Sequence, residues 1–526
     1  MDNPFVIPEG FHPSHENPVV LPEDQARLLF FVNALLGVAS PMDGPAAHQL
    51  MRECLDASFT STEDLVEWLS VRIPVQKPSR RAVDRCIEST DRLLERGAWA
   101  AEYKGVPPFD ACRPSCPRCM FGFGPPSKDQ PRLGVFNSRK SRLVSPDEPW
   151  ISALRFSLPL LRALRLMFVS STGTLTCDLV AAYARKMQAP LLLVQPFPLE
   201  KLAGITDSAE ILQNPDFCSV FTCFTRAMRC SKRSRMSCRD RLMASLTDIH
   251  WILEIRSRGS LVDILSTQQE SSPRVQWILE PCHGRDSARG NQLLLNRFPR
   301  STTLIPYRSI IHNNPRSAFS GRPSFSILEC SAGRDEFLYH YTRSCPGAWP
   351  GQAHDEYLLS LLNGDPLSAH TALDTLARII REGRIRGSHR LVRGVQPVVS
   401  WTSVSPVFLS SIRQWNRPLM RWTFEPYGIA VSRKLLRKQG AMPSIYIKDA
   451  LLARIPAGDR FRFQRHESPG CRWKQEKEWR LRGDFLLGDI SEGEGFVFVP
   501  NSEEAEGLCR RVITALPVLA ISANRK

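Results

Sequence analysis

Apolar positions change their period twice along this chain. Between residues 22 and 104 they recur at helical spacing. LPEDQARLLFFVNALLGV opens on a proline and an acidic first turn, TSTEDLVEWLSVRI has Ser61 and Thr62 placed to cap an apolar stripe, and SRRAVDRCIESTDRLLERGAW stops at Gly97. From residue 132 to about 308, wholly apolar runs alternate with amphipathic ones: RLGVFNSR, LRLMFVSSTGTLTCDLVAAYARKM, APLLLVQP, RDRLMASLTDIHWILEI, RGSLVDILSTQ and VQWILEP. Short apolar runs of this kind are strands buried on both faces, and their alternation with helices predicts a parallel sheet wrapped by helices. From residue 336 short aromatic strands take over: FLYHYT, PVVSWTS, RWTFEPYGIAVS, PSIYIK, RFRFQR, EKEWRLRGDFLL and GFVFVP, with helices over 368–383 and 502–516. That texture predicts an α+β domain with a mostly antiparallel sheet.

The reading is a multidomain protein, α/β joined to α+β. A helical N-terminal region covers 1–110 and a Pro/Gly/Cys-rich connector 111–131. A Rossmann-like parallel-sheet domain follows over 132–308, a Pro/Ser/Gly-rich linker over 309–335 and the C-terminal domain over 336–526. A chain of 526 residues is too long for one core. Net charge, at +16, widens the choice of partners to nucleic acid, an anionic surface or a phosphate-bearing ligand. An Arg-rich composition alone also accounts for it, since the charge reads as scattered, densest in RAMRCSKRSRMSCRDR at 226–241. The fifteen cysteines have no regular spacing, and MDNPFVIPEGFHPSHENP has neither the basic start nor the apolar core of a secretory leader. They read as reduced thiols in a cytoplasmic protein. No apolar run approaches the ~20 residues of a membrane span, so LLFFVNALLGVA reads as a buried helix and no membrane partner is expected. Cys112, Cys116 and Cys119 include one C-x-x-C pair, but a structural zinc needs four ligands, so they read as loop thiols and no metal is expected.

In the middle domain SSTGTLTCD (170–178) follows a strand and opens a helix, which aims backbone N–H groups and the positive end of a helix dipole at one point. Ser171, Thr172, Gly173 and Thr174 form that turn, and Gly259 and Ser260 form a second one in SRGSLVDI. Two such turns at one sheet edge would hold a nucleotide or phosphate. Ser138 and Arg139 at the end of the first strand, with Arg239 and Arg241, would supply donors and countercharge. These motifs, GVFNSR, FVSSTGTLTCDLVAAYA and CRDRLMASLTD…ILEIRSRGSLVDIL, resemble the SLOG superfamily, which groups the DNA-processing protein DprA with LOG-type nucleotide-processing proteins and sensor domains of antiphage systems. Asn137-Ser138-Arg139 stands where that superfamily has Gly-Ser-Arg, and the paired glycines and catalytic Glu of its enzymes are not evident. The resemblance therefore implies ligand binding more than catalysis.

In the C-terminal domain Tyr339-His340-Tyr341-Thr342 places four polar-tipped side chains in a row. VVSWTS carries Ser400 and Thr402, and WKQEKEWRLRGD places Glu476 and Glu478 two apart on one strand face, next to Trp479 and Arg480. A His, a Ser/Thr strand and carboxylates suit sugar transfer: the His bonds a ribose hydroxyl, aromatics stack a nicotinamide or adenine, and a Glu holds the ribose and an oxocarbenium-like transition state. Structural readings stand beside these. A His among aromatics also reads as a satisfied core residue, Glu478 and Arg480 could simply pair, and Tyr427-Gly428 could be a turn. The pattern resembles the ADP-ribosyltransferase fold of the His-Tyr-Glu kind. It is nearer still to bacterial domains of the AbiGi abortive-infection type, through YHYT, TALDTLARIIREG, PVVSWTS, EPYGIAVSRKLLRKQGAMPSIYI and EKEWRLRGD. The resemblance implies His340 as the ribose-binding residue and Glu478 as the catalytic one, with Glu476 behind it. Tyr341, Thr342, Ser400 and Thr402 would line the pocket, and Arg421 and Arg480 would meet the pyrophosphate of NAD.

The combined expectation is a defence protein of the abortive-infection type, a nucleotide-sensing domain joined to an NAD-using transferase-like effector. The alternative is a non-catalytic binder of nucleotide or nucleic acid acting as an antitoxin or interaction module.

Overall fold

The structure, a computed structural model, describes residues 3–8, 11, 19–39, 44–73, 78–102, 119–124, 130–141, 143–198, 217–224, 231–281, 288–310, 326–328, 336–389, 392, 396–416, 421–466 and 472–521. They form two compact units, Met1–Ser141 with Asp147–Asn314, and Arg142–Pro146 with Pro315–Lys526.

The first unit is mixed α/β around a ten-stranded sheet. Its strands are Val19–Val20 (β1), Ala98–Glu102 (β2), Cys119–Phe123 (β3), Arg132–Phe136 (β4), Met167–Ser171 (β5), Leu191–Val194 (β6), Cys218–Thr222 (β7), Ile249–Ile252 (β8), Val275–Leu279 (β9) and Thr302–Ile305 (β10). They lie in the order β1-β2-β3-β7-β6-β5-β4-β8-β9-β10. β4 to β10 are mutually parallel and β1 to β3 antiparallel. Every residue of β4 to β8 is buried, as a sheet covered on both faces requires. The chain winds from β4 towards β7, then crosses to β8 and on to β10. The topology therefore reverses between β4 and β8, where sheets of this kind open a crevice beyond their strand ends.

The N-terminal helices belong to the same compact unit as the parallel sheet. The helix Glu23–Ala39 buries Leu29, Phe30, Val32 and Leu36, and Phe30 meets Phe121 of β3 with ring centroids 5.7 Å apart. β2 lies at the end of the stretch read as helical, and β3 lies in the stretch read as connector. Alanine-rich AWAAE has no strand signature, and CMFGF is crowded by Pro and Gly. Gly122 is there for contact: a Cβ would stand 2.5 Å from the Val220 carbonyl oxygen. Cys119 is a buried strand residue, while Cys112 and Cys116 fall outside the described residues. Phe5 reaches the sheet as well, its ring 5.1 Å from both Trp251 and Trp277.

In the second unit the strands are Ser326–Leu328 (β11), Phe337–Tyr341 (β12), Arg384–Ile385 (β13), Val398–Thr402 (β14), Trp415–Asn416 (β15), Arg421–Trp422 (β16), Gly428–Ser432 (β17), Met442–Pro443 (β18), Ile445–Ile447 (β19), Phe463–Arg465 (β20), Glu478–Arg482 (β21), Phe485–Leu486 (β22), Gly495–Val499 (β23) and Val518–Ile521 (β24). Eight form one sheet in the order β11-β24-β23-β17-β12-β14-β21-β18. Its neighbours are antiparallel except β24, which runs parallel to both β11 and β23. β11 lies within the stretch read as a linker. Alternation along β12 sends Leu338 to one core, with Trp401, Ile429 and Val431, and sends Tyr339 and Tyr341 to another, with Phe424, Phe496 and Phe498. The helix Ala372–Glu382 covers the first core with Leu373, Leu376 and Ile380. A Thr371–Asp374 capping box starts it and the left-handed Gly383 ends it.

β12 and β14 share a single register pair, Tyr339↔Thr402, whereas β12 makes five pairs with β17 and β14 makes five with β21. The sheet parts at His340.

Candidate functional site

A cleft of about 630 Å³ opens at this parting, lined by His340, Ser400, Glu476, Glu478, Arg343 and Trp422 among others. Its lining mixes both pleat parities, so it opens where the two strands diverge and not on one sheet face.

His340 Nδ1 donates to the Ser400 carbonyl oxygen at 2.9 Å, and its ring meets Trp401 edge-on at 5.6 Å. A carbonyl only accepts, so Nδ1 carries the proton of the neutral ring and Nε2 offers a lone pair. Burial foremost, and the Arg343 charge after it, push the His340 pKa down to about 4, so the ring is neutral at pH 7. Ser400 acts twice, because its hydroxyl also donates to Glu478 Oε1 at 2.8 Å. His340 and Glu478 thus meet through one residue.

Glu478 accepts a two-pronged bond from Arg480, Nε to Oε1 and Nη2 to Oε2, both 3.0 Å. Its backbone N–H donates to Tyr446 Oη at 3.0 Å. Arg480 is 2% exposed and spends its remaining donors on the Phe461 and Phe463 carbonyls, at 3.0 and 2.5 Å, and on Gln464 Oε1. All five guanidinium hydrogens are accounted for. That corrects the expectation that Arg480 meets a pyrophosphate: it fixes Glu478.

Glu476 and Glu478 do not share a strand face, which corrects the second expectation. Glu476 ends a short 3-10 turn, Arg472–Glu476, and Lys477 at φ +44° turns the chain before β21 begins. Both carboxylates line the cleft all the same. Burial, then the charge of Glu478, raises the Glu476 pKa to about 7, with Arg343 pulling the other way.

Tyr341, Thr342 and Thr402 line the cleft as expected, and each also spends its hydroxyl on the scaffold. Tyr341 donates to the Val404 carbonyl at 3.0 Å, and its ring packs edge-on to Phe424 and Phe498 at 5.3 and 5.2 Å. Thr342 donates to the Ala372 carbonyl at 2.8 Å. Thr402 donates to the Glu476 carbonyl and accepts from the Val404 N–H at 3.0 Å. The Arg421 backbone pairs with Asn416, and its side chain lies outside the described residues. Gly428 is not a turn residue. It faces Tyr341 in β17, where a Cβ would stand 2.1 Å from the His340 carbonyl oxygen.

Sequence reasoning missed Arg343, which follows YHYT directly. Its guanidinium sits 5.2 Å over Phe424 in the cleft wall. Its chain segment is pinned on both sides: the Ser344 N–H and hydroxyl donate to Glu425 Oε1 at 2.8 and 2.9 Å, and Thr375 donates to the Arg343 carbonyl at 3.0 Å. The basic charge is also less scattered than it reads. Along the sequence, residues 390–482, the stretch from which much of the cleft lining is drawn, hold 19 Lys and Arg against six Asp and Glu, most of the chain's net +16.

In the first unit the expected phosphate turn is self-satisfied, another correction. The Gly173 N–H donates to Asp178 Oδ1 at 3.2 Å, the Cys177 N–H to Thr174 Oγ1 at 3.4 Å, and Thr172 Oγ1 to Gln195 Oε1 at 2.7 Å. Arg239 is buried, paired with Asp240, and donates to Ser171 Oγ at 3.4 Å and the Thr172 carbonyl at 3.0 Å. Arg241 is half-buried on the same helix, Lys232–Leu246. Across the switch point Ser138 ties β4 to β8: its N–H donates to the Glu254 carbonyl and its Oγ accepts from the Arg256 N–H, both 2.9 Å. Arg139 is exposed there, and Gly259 precedes the helix Ser260–Ser271 with no side-chain cap.

No family model matches the chain, and no curated protein matches it. Solved structures that align with part of it include two DNA-processing proteins. DNA processing protein A from Helicobacter pylori, described for its single-stranded DNA binding mode, is 16% identical, with 39% of this chain and 90% of that chain covered and a TM-score of 0.29. DprA from Streptococcus pneumoniae is 14% identical, with 46% and 87% covered and a TM-score of 0.28. TM-scores at this level are too low to assign a fold or a ligand.

Proposed function

We propose that the cleft of the second unit is an NAD-using site, acting as an ADP-ribosyltransferase or NAD glycohydrolase. The observation that carries the reading is Ser400, which holds the His340 imidazole through its carbonyl and the Glu478 carboxylate through its hydroxyl beside one cavity. A neutral imidazole with a free lone pair on Nε2 accepts a ribose hydroxyl. A carboxylate fixed by two arms of an arginine supplies negative charge without reorganisation. The second carboxyl, Glu476, titrates near neutrality and takes a proton from an attacking group. NAD, as substrate, would bring a ribosyl–nicotinamide bond whose cleavage develops positive charge at the sugar. The cavity volume falls within the ~300–1,000 Å³ usual for ligand pockets, and its wall carries Trp422 and Phe424 for a flat ring. The experiment is release of labelled nicotinamide by the full chain. Turnover lost in Glu478→Gln supports the reading, and turnover indifferent to it removes Glu478 from the chemistry.

A second reading has its own observation. Arg480 already satisfies Glu478, as a purely structural pair would, and this favours a non-catalytic binding module. Absence of NAD turnover with an intact fold selects it.

For the first unit, the switch point between β4 and β8, with Arg139 and the uncapped turn at Gly259, supports binding of a nucleotide or nucleic acid. The wider role, a sensor unit coupled to an effector in bacterial abortive-infection defence, rests on the resemblances of the sequence alone.

A further inference from the structure

The cleft continues into an exposed aromatic rim of which the proposed chemistry uses only Trp422. β15 and β16 form a two-rung hairpin in which Trp415 faces Trp422 across the strands, ring centroids 5.5 Å apart. The pair leave 46% and 37% of their surfaces exposed, and Phe408, 40% exposed, stands in the preceding 3-10 turn. Arg413 lies 4.3 Å over the Trp422 ring. The hairpin base is fixed: the Thr423 N–H donates to the Gln414 carbonyl at 2.8 Å, and the Gln414 N–H to Thr423 Oγ1 at 2.9 Å. Ile412 and Phe424 on either side are buried in the core around Tyr341. The tryptophans are therefore held outward by a rigid base, while Asn416 and Trp422 open onto the cleft.

Two properties decide what fits. The surrounding segment, residues 390–482, is strongly basic, so the partner is a polyanion. The indoles meet edge to face, 75° between their planes, and present their remaining ring surface to solvent, so that polyanion carries unpaired flat rings. We infer that the Trp415–Trp422 hairpin is a docking site for single-stranded nucleic acid, which stacks bases on the indoles and leads the strand past the cleft mouth. A duplex offers no unstacked base to such a platform, and an acidic peptide has no flat rings to stack; an anionic membrane also takes interfacial indoles, so vesicles form an arm of the test.

The inference stands without NAD chemistry, and its test is separate from nicotinamide release. Fluorescence anisotropy of the full chain is read with a labelled 20-nucleotide oligo-dT, its oligo-dA duplex, a poly-Glu peptide and phosphatidylserine vesicles, each at two salt concentrations. Oligo-dT binding that falls with salt and weakens about fivefold or more in both Trp415→Ala and Trp422→Ala supports the site. Trp415→Phe and Trp422→Phe should restore most of it, which separates ring loss from misfolding. Unchanged oligo-dT affinity in the Ala variants overturns the inference. So does tighter binding of duplex, peptide or vesicles than of the single strand, or an Ala-variant loss that Phe does not restore.

Discussion

Ser400 donates its hydroxyl to Glu478 at 2.8 Å across the β14–β21 ladder, while its carbonyl accepts from His340 at 2.9 Å. One serine therefore sets both proposed catalytic groups. Ser400→Ala leaves the carbonyl and removes the hydroxyl. The fold should lose about 1 kcal/mol, while nicotinamide release should fall roughly tenfold, the rate equivalent of about 1.4 kcal/mol. Chemical denaturation and turnover measured together check the split.

Arg480→Met should be among the most damaging single changes in the second unit. It leaves Glu478 part-buried without its cation and orphans the Phe461 and Phe463 carbonyls. Losing one partner of such a pair costs about 3–5 kcal/mol. Urea unfolding reads it, and the double variant Glu478→Leu with Arg480→Met should recover part of the loss.

Glu476 gives stability a pH dependence of known sign. Its pKa is about 7 in the fold against an ordinary carboxylate value of 4.5, so the folded state binds more protons than the unfolded chain between those values. Its contribution is therefore greatest below pH 4.5 and is lost as pH rises through 7. Glu476→Gln mimics the protonated form. The variant should match the wild-type Tm at pH 4.5 and exceed it at pH 8, by up to about 3 kcal/mol in stability. Turnover in the wild type should rise through pH 7 as Glu476 ionises, and the variant should lack that step.

Gly428→Ala should disturb the site through the backbone. The added Cβ would meet the His340 carbonyl at 2.1 Å and the Phe498 ring at 2.6 Å, so β17 must move away from β12. A loss of about 1–3 kcal/mol is expected from overpacking, with nicotinamide release reduced beyond what the unfolded fraction explains.

The layout of strands and helices was legible where pattern and burial coincide. Apolar runs such as VQWILEP are strands because a doubly covered sheet tolerates nothing else, and TALDTLARIIREG carries its own cap and stop. β2, β3 and β11 were not legible, since AWAAE, CMFGF and SIL become strands only by pairing with distant partners. In the cleft, residue types pointed to His340, Glu478 and Glu476. Which donors were already spent could not be read from types, because the bonds of Arg480, Thr342 and Thr402 run to backbone carbonyls far along the chain. Gly173 failed as a phosphate donor for the same reason: Asp178, five residues on, takes its N–H.

The lone Tyr339↔Thr402 rung has a mechanical consequence. Each side of it is well stitched, so the sheet behaves as two stiff leaves joined by a narrow seam, with the imidazole and the carboxylate on opposite leaves. Whatever lodges between them and touches both becomes a rivet. Occupancy should then register as slowed amide exchange along Val398–Thr402 before any product is formed.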